Sequence, residues 1–185
     1  MEQVSSEHDS PLRRARAFAA SAALIRNPVG DILMVQPTYK EPLELPGGYV
    51  EVGESPVEAC LREVREELGI EIALGGLLVV DWAPAPSEGD KILFAFDGGQ
   101  LSADQEADIK LRESEVSSWG YYPLSVIEAR TPARLFRRIA QAAQADSTRY
   151  LEDGGTAGVT VLPRRPGHQA LGSSVGCKAA VIFVR

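Results

Sequence analysis

The sequence predicts an α/β fold, with a mixed sheet and helices packed around it. Two observations carry this. Five apolar or alternating runs of strand length lie along the chain. Two longer segments, from Pro56 and from Pro132, instead space their apolar residues at the helical period.

Taken in order, Ala17 to Ile25 is an apolar run. Asn27-Pro28-Val29-Gly30-Asp31 is a turn, and Ile32 to Gln36 is a second strand, so the pair reads as a hairpin. Pro37 to Leu43 is a loop leading into Leu45-Pro46-Gly47-Gly48. That segment is a tight turn whose glycines let backbone approach a ligand. A helix then starts at Ser55-Pro56-Val57-Glu58. Ser55 can cap it, Pro56 fits the first helical position, and Glu58 can complete a capping box. Gly69 stops it. Val57, Leu61, Val64 and Leu68 form one stripe and should face the core. Glu63, Glu66 and Glu67 share another face, flanked by Arg62 and Arg65, because residues three and four apart are neighbours on a helix.

Ile72 to Trp82 is mostly apolar and should be a strand. Residues 83–90 are a loop carrying Pro84 and Pro86, and Lys91 to Phe96 alternates as a further strand. Leu101 to Ser114 is polar and irregular. Val116 to Tyr122 is the fifth strand, Pro123-Leu124 opens a short helix, and Pro132 to Ala145 is a second strong one. On the last helix Leu135, Ile139 and Ala142 share a face, with Arg134, Arg137 and Arg138 mostly off it. Beyond Tyr150 the composition turns rich in glycine and proline. That tail either adds an edge strand, packs on the partner of a homodimer, or extends without structure. The expected organisation is an arm over 1–15, a domain over 16–150 and a C-terminal extension over 151–185.

The most informative stretch is Gly48 to Ile70, GYVEVGESPVEACLREVREELGI. Its clustered carboxylates repel one another unless a cation sits among them. Hard divalent ions such as Mg²⁺ prefer carboxylate oxygens and keep waters and substrate phosphates in their other positions. The stretch therefore reads as a metal-dependent phosphate site. An acidic run alone reads more simply as a solvated helix face. The spacing of these residues, with two glycines in front, is similar to a known family pattern, and that resemblance argues against a plain solvated face.

Those residues resemble the Nudix box, G-x5-E-x7-R-E-U-x-E-E-x-G-U with U aliphatic. Gly48, Glu54, Arg62, Glu63, Val64, Glu66, Glu67, Gly69 and Ile70 fill its nine fixed positions, within 23 of 185 residues. Glu44-Leu45-Pro46-Gly47 resembles the family's lead-in. The resemblance implies the α/β/α sandwich of the Nudix fold over roughly residues 16 to 150 and hydrolysis of a pyrophosphate linkage with Mg²⁺ or Mn²⁺. It implies Glu63, Glu66 and Glu67 as metal ligands, with the Gly48 carbonyl as a fourth. It gives Arg62 the task of orienting the acidic side chains, and Glu54 that of supporting the loop. Glu54 and Arg62 also read as a plain structural salt bridge. The general base stays open among Glu63, Glu67, Glu113 and Glu115, the last two in the loop region where many relatives carry it. Trp82, near the Pro84/Pro86 loop, is a candidate for stacking on a base or ribose, and Glu113 is a candidate substrate contact. The Trp-Ala-Pro-Ala-Pro run resembles the loop of ADP-ribose pyrophosphatases.

Composition narrows the partners. A net charge of −7 and a pI of about 4.9 argue against nonspecific nucleic-acid binding. Cys60 and Cys177 are the only cysteines, so a disulfide scaffold is not expected and a reducing cytoplasm fits. No run reaches transmembrane length, and the start reads as an arm rather than a secretory signal. His8 and His168 receive no role. The expected partner is a small nucleotide, with neither nucleic acid nor membrane. Three function classes follow: a hydrolase of a nucleoside diphosphate derivative, with ADP-ribose or a nucleotide sugar foremost; a hydrolase of nucleoside triphosphates or of a biosynthetic phosphate; and a noncatalytic nucleotide sensor. The third is disfavoured because every box carboxylate is kept.

Overall fold

The computed structural model describes residues 15–85 and 89–157. Most of the expected arm, Pro86, Cys177 and the extension from 158 onward lie outside these residues. The elements are β1 (Phe18–Leu24), β2 (Ile32–Pro37), β3 (Gly47–Tyr49), α1 (Pro56–Leu68), β4 (Leu77–Ala83), β5 (Lys91–Asp97), α2 (Ala103–Ala107), β6 (Val116–Tyr122), α3 (Leu124–Arg130), α4 (Ala133–Ala143), β7 (Arg149–Glu152) and β8 (Gly155–Thr156). A six-stranded sheet has the order β3-β1-β5-β4-β7-β8, and β2 pairs with β6 in a second sheet. The larger sheet is mixed: β1–β5 and β4–β7 are parallel, and its other pairs antiparallel.

Alternation along β1 shows how the layers form. Ala23 and Ile25 pack with Cys60, Val64 and Leu68 of α1. Leu24, between them, packs with Ile139 and Ala142 of α4. Successive strand side chains point to opposite faces, so the sheet carries a helix on each side. This is the expected α/β/α arrangement.

α1 begins and ends where the sequence places it. Ser55 accepts from the Glu58 N–H at 3.3 Å, the Ser55 N–H donates to Glu58 at 2.8 Å, and Gly69 takes the left-handed conformation with φ 72°. The buried stripe is rotated from the expected one. Ala59, Cys60, Val64 and Leu68 are buried, Leu61 is half-buried and Val57 is 42% exposed. The rotation turns Glu63 and Glu67 toward β3.

Other expectations change. The 27–31 turn forms, and Ile32 bridges Arg26, but β1 and β2 then part. Both edges of β1 are taken, by β3 and β5, so β2 pairs with β6 instead of closing a hairpin. The Gly47-Gly48 turn is strand β3. The strand expected from Ile72 starts only at Leu77, after Gly75-Gly76, because glycine weakens a strand. The polar stretch 101–114 contains α2, with a Ser102/Gln105 capping box. The compositional boundary at 150 falls within β7, whose Leu151 is fully buried. Among the described residues no helix is long and apolar enough to cross a membrane.

Candidate functional site

Two backbone relationships bring the acidic helix against the double glycine. The Gly47 N–H donates to Glu67 Oε2 at 3.0 Å. A Cβ added to Gly48 would meet Glu63 Oε1 within van der Waals contact, so the absence of a side chain there is what lets Glu63 approach. β3 is held in place by its pairing with β1, Ser21 opposite Gly48 and Ala22 opposite Gly47.

Arg62 organises the outer side. Its Nε donates to Glu54 Oε1 at 2.7 Å and its Nη2 to Glu54 Oε2 at 3.1 Å. Nη1 donates to Glu63 Oε1 at 2.9 Å, and Nη2 also reaches the Tyr49 carbonyl at 3.0 Å. The Arg62 guanidinium holds the Glu54 carboxyl below the usual carboxylate range. The Glu54–Arg62 salt bridge forms, and the same arginine holds Glu63.

The C-terminal end of α1 positions the other contributing loop. Lys110 N–H donates to the Leu68 carbonyl at 2.8 Å and Arg112 N–H to that of Glu67 at 3.3 Å. These bonds satisfy helix-end carbonyls and fix the segment that follows. Arg112 then lies between two carboxylates, 3.0 Å from Glu66 and 3.3 Å from Glu115. The Glu115 carbonyl is anchored by the Thr38 N–H at 2.9 Å.

Electrostatically these groups form one unit. Burial, together with the charges of Glu63, Glu44 and Glu115, pushes the Glu67 carboxyl up to about 8 against the pull of the Gly47 N–H. Burial also raises Glu63, against the pull of Arg62. Burial is the largest of these effects, so the Glu67 carboxyl is above all withdrawn from water, with other carboxylates around it. Among the described residues no three acidic, histidine or cysteine side chains converge closely enough to hold an ion as they stand. The carboxylates turn to Arg62, Arg112 and the Gly47 N–H instead. The donor set is all hard oxygen, half-buried and mutually repelling, which fits Mg²⁺ or Mn²⁺ in chemistry.

The other site residues separate from this cluster. Glu113 is exposed and makes no hydrogen bond or ion pair among the described residues. Trp82 is half-buried within β4, paired with Ile92 and Glu152. A cavity of about 470 Å³ borders the cluster at Glu44, Gly47 and Gly48, and Trp82 is not among its lining residues, whereas Ala83 and Ala85 are. Sequence reasoning gave no role to Glu44, Arg112, Asp81 or Arg138. Asp81 had a legible signal, being a lone carboxylate inside an apolar strand. It is fully buried and pairs with Arg138 at 2.6 Å.

Comparison with known proteins follows the same residues. A family model described as the NUDIX domain matches residues 15–142. A putative 8-oxo-dGTP diphosphatase of Bacillus subtilis is 30% identical over 145 residues, covering 78% of this chain and 94% of that protein. An 8-oxo-dGTP diphosphatase of Haemophilus influenzae is 43% identical over 59 residues, and an ADP-ribose pyrophosphatase of Methanocaldococcus jannaschii 38% over 74. These last two matches cover 30% and 37% of this chain, and the chain spans only 43% and 44% of the two proteins. Among solved structures, a MutT protein from Methanosarcina mazei Go1 superposes with a TM-score of 0.58 at 28% identity, covering 71% of this chain and 98% of that one.

Proposed function

This chain belongs to the NUDIX family, and from that premise we propose that it hydrolyses a pyrophosphate linkage in a nucleoside diphosphate derivative, ADP-ribose or a nucleotide sugar foremost, with Mg²⁺ or Mn²⁺. The observation that carries this reading is the Glu67 carboxyl, held against Gly47 among Glu63, Glu44 and Glu115. Glu63, Glu66 and Glu67 are the proposed ligands, with the Gly48 carbonyl as a fourth. When bound, the ion neutralises phosphate charge and acidifies a water.

The chain's own residues supply positioning and proton transfer. Arg62 fixes Glu63 and ties the Glu54 loop to α1. Water oxygen forms a bond to one phosphorus, and the bond from that phosphorus to the bridging oxygen breaks. The bridging oxygen leaves with the electron pair as a phosphate. We assign the water's proton to Glu115, which comes from outside the helix and shares Arg112 with Glu66. General bases act from hydrogen-bond reach of the proton they take. Glu113, exposed and unpaired among the described residues, keeps a substrate-contact role at the outer edge of this reading.

A second reading has its own support. The Bacillus and Haemophilus relatives carry the name 8-oxo-dGTP diphosphatase, which favours a nucleoside triphosphate as substrate. A release assay decides between them. It covers ADP-ribose, nucleotide sugars, dinucleoside polyphosphates and nucleoside triphosphates including 8-oxo-dGTP, with and without Mg²⁺ or Mn²⁺. Turnover of the diphosphate derivatives alone supports the first reading, and of triphosphates alone the second. Full turnover in excess chelator overturns both.

A further inference from the structure

Two arginines reach the carboxylate cluster, and they are engaged differently. All three nitrogens of Arg62 are taken. Its Nε and Nη2 donate to Glu54, Nη1 donates to Glu63, and Nη2 also donates to the Tyr49 carbonyl. Arg112 meets the cluster through one nitrogen. Its Nη1 donates to Glu66 Oε2 at 3.0 Å and lies 3.3 Å from Glu115 Oε1. Its Nε and Nη2 make no hydrogen bond among the described residues, and its side chain is 48% exposed against 20% for Arg62. The backbone beneath it is fixed on both sides. The Arg112 N–H donates to the Glu67 carbonyl at 3.3 Å, and its carbonyl accepts from the N–H groups of Glu115 and Val116 at 2.8 Å and 2.9 Å.

Open donors on an exposed guanidinium are ordinarily met by water. Arg112 differs in its place, since it touches both a proposed metal ligand and the proposed base. A divalent ion keeps substrate phosphates among its ligands, so an ion on Glu66 brings phosphate oxygens beside Arg112. The planar fork of a guanidinium matches two such oxygens, and these charge-assisted bonds are among the strong ones. We propose that Arg112 is a substrate contact. Its Nε and Nη2 grip nonbridging oxygens of the substrate's phosphates, while Nη1 keeps its hold on Glu66 and Glu115. A cation on the transferring phosphoryl group stabilises the reacting state as well as binding it. This rests on the hydrolase reading above, in either of its substrate forms.

The test uses imidodiphosphate, whose nitrogen replaces the bridging oxygen, as a probe that carries phosphate and nothing else. Calorimetry measures its binding with Mg²⁺ present, and the binding of Mg²⁺ alone. Arg112→Gln should weaken imidodiphosphate binding by about tenfold or more. Its backbone bonds do not involve the side chain, so the loop should keep its place. Arg112→Lys should restore only part, because a point charge cannot hold the carboxylates and grip two oxygens together. Mg²⁺ alone should bind both variants at least as well as the parent, since a competing cation beside Glu66 is removed or loosened. A side chain that merely oriented Glu66 would instead lose Mg²⁺ affinity. Arg65→Gln removes the same charge from an arginine paired with Glu71, and should leave imidodiphosphate binding unchanged. The contact is overturned if imidodiphosphate fails to bind the parent, if it binds Arg112→Gln as tightly, or if its loss only follows a loss of Mg²⁺. If no nucleotide is cleaved while imidodiphosphate binding still depends on Arg112, the hydrolase reading fails and the phosphate contact stands.

Discussion

Arg62 grips Glu54 with two nitrogens at once, Nε at 2.7 Å and Nη2 at 3.1 Å, while its third reaches Glu63 at 2.9 Å. One planar fork thus ties the loop before α1 to a proposed metal ligand on α1. A lysine offers a single point charge and cannot make these contacts together. Arg62→Lys should therefore weaken Mg²⁺ or Mn²⁺ binding by about 10- to 100-fold, the range for partners that orient metal ligands. Metal titration followed by activity and by calorimetry measures it. Unchanged metal affinity in the variant would reduce Arg62 to a loop tether.

The two adjacent glycines of β3 should fail in different ways. The atoms nearest a Cβ at Gly48 are the end of the Glu63 side chain, which can rotate away. Gly48→Ala should fold and melt near the parent temperature but lose most of its turnover. A Cβ at Gly47 meets the Ser21 carbonyl and Ala22, both in β1, and its φ of 153° is one that side chains rarely adopt. Gly47→Ala should be poorly folded. Circular dichroism with activity separates the two outcomes. An active Gly48→Ala would mean that Glu63 need not approach this strand.

How far these contacts were legible depended on their range in sequence. α1 was legible to its ends because its signals are local: Ser55 with Glu58, Pro56, and Gly69. The approach of Glu115 to the box was anticipated only by region, since it depends on Lys110 and Arg112 bonding the end of α1. β7 was missed because RYLE has little strand character alone and forms by parallel pairing with distant β4. Helical spacing puts Arg138 mostly off the apolar face, yet it is buried, because its long side chain reaches Asp81, 57 residues away in sequence. Periodicity describes where a residue starts on a helix, not what its side chain can reach.

That buried pair carries its own prediction. Asp81 holds Arg138 from α4 and the Gly154 N–H from the β7–β8 turn. Asp81→Asn leaves a buried guanidinium without its counter-charge, and should cost about 3–5 kcal/mol of stability. Asp81→Leu combined with Arg138→Met should recover much of that loss, since a buried pair replaced whole by apolar residues is often near neutral. Urea unfolding of the three proteins tests this. A single mutant as stable as the parent would show that water reaches the pair.

The last prediction separates ligand from scaffold on α1. Glu67 carries its desolvation cost and the repulsion of Glu63, Glu44 and Glu115 in the metal-free protein. Glu67→Gln keeps shape and can still accept from the Gly47 N–H, but it removes the charge. The variant should melt no lower than the parent without metal, gain less stability when Mg²⁺ is added, and lose about two or more orders of magnitude in turnover. Glu115→Gln should lose turnover while keeping the stabilisation by Mg²⁺, because its proposed part is the proton and not the ion. Leu68→Ala should behave in the reverse way. Leu68 is fully buried in the core beneath the same helix, so its truncation should cost about 2–5 kcal/mol and leave the turnover of the folded fraction near that of the parent. Melting curves with and without Mg²⁺, set beside kcat for the three variants, give the comparison. A Glu67→Gln protein that is destabilised but turns over normally would make α1 a scaffold with a charged surface, and would remove the main support for metal-dependent hydrolysis at this site.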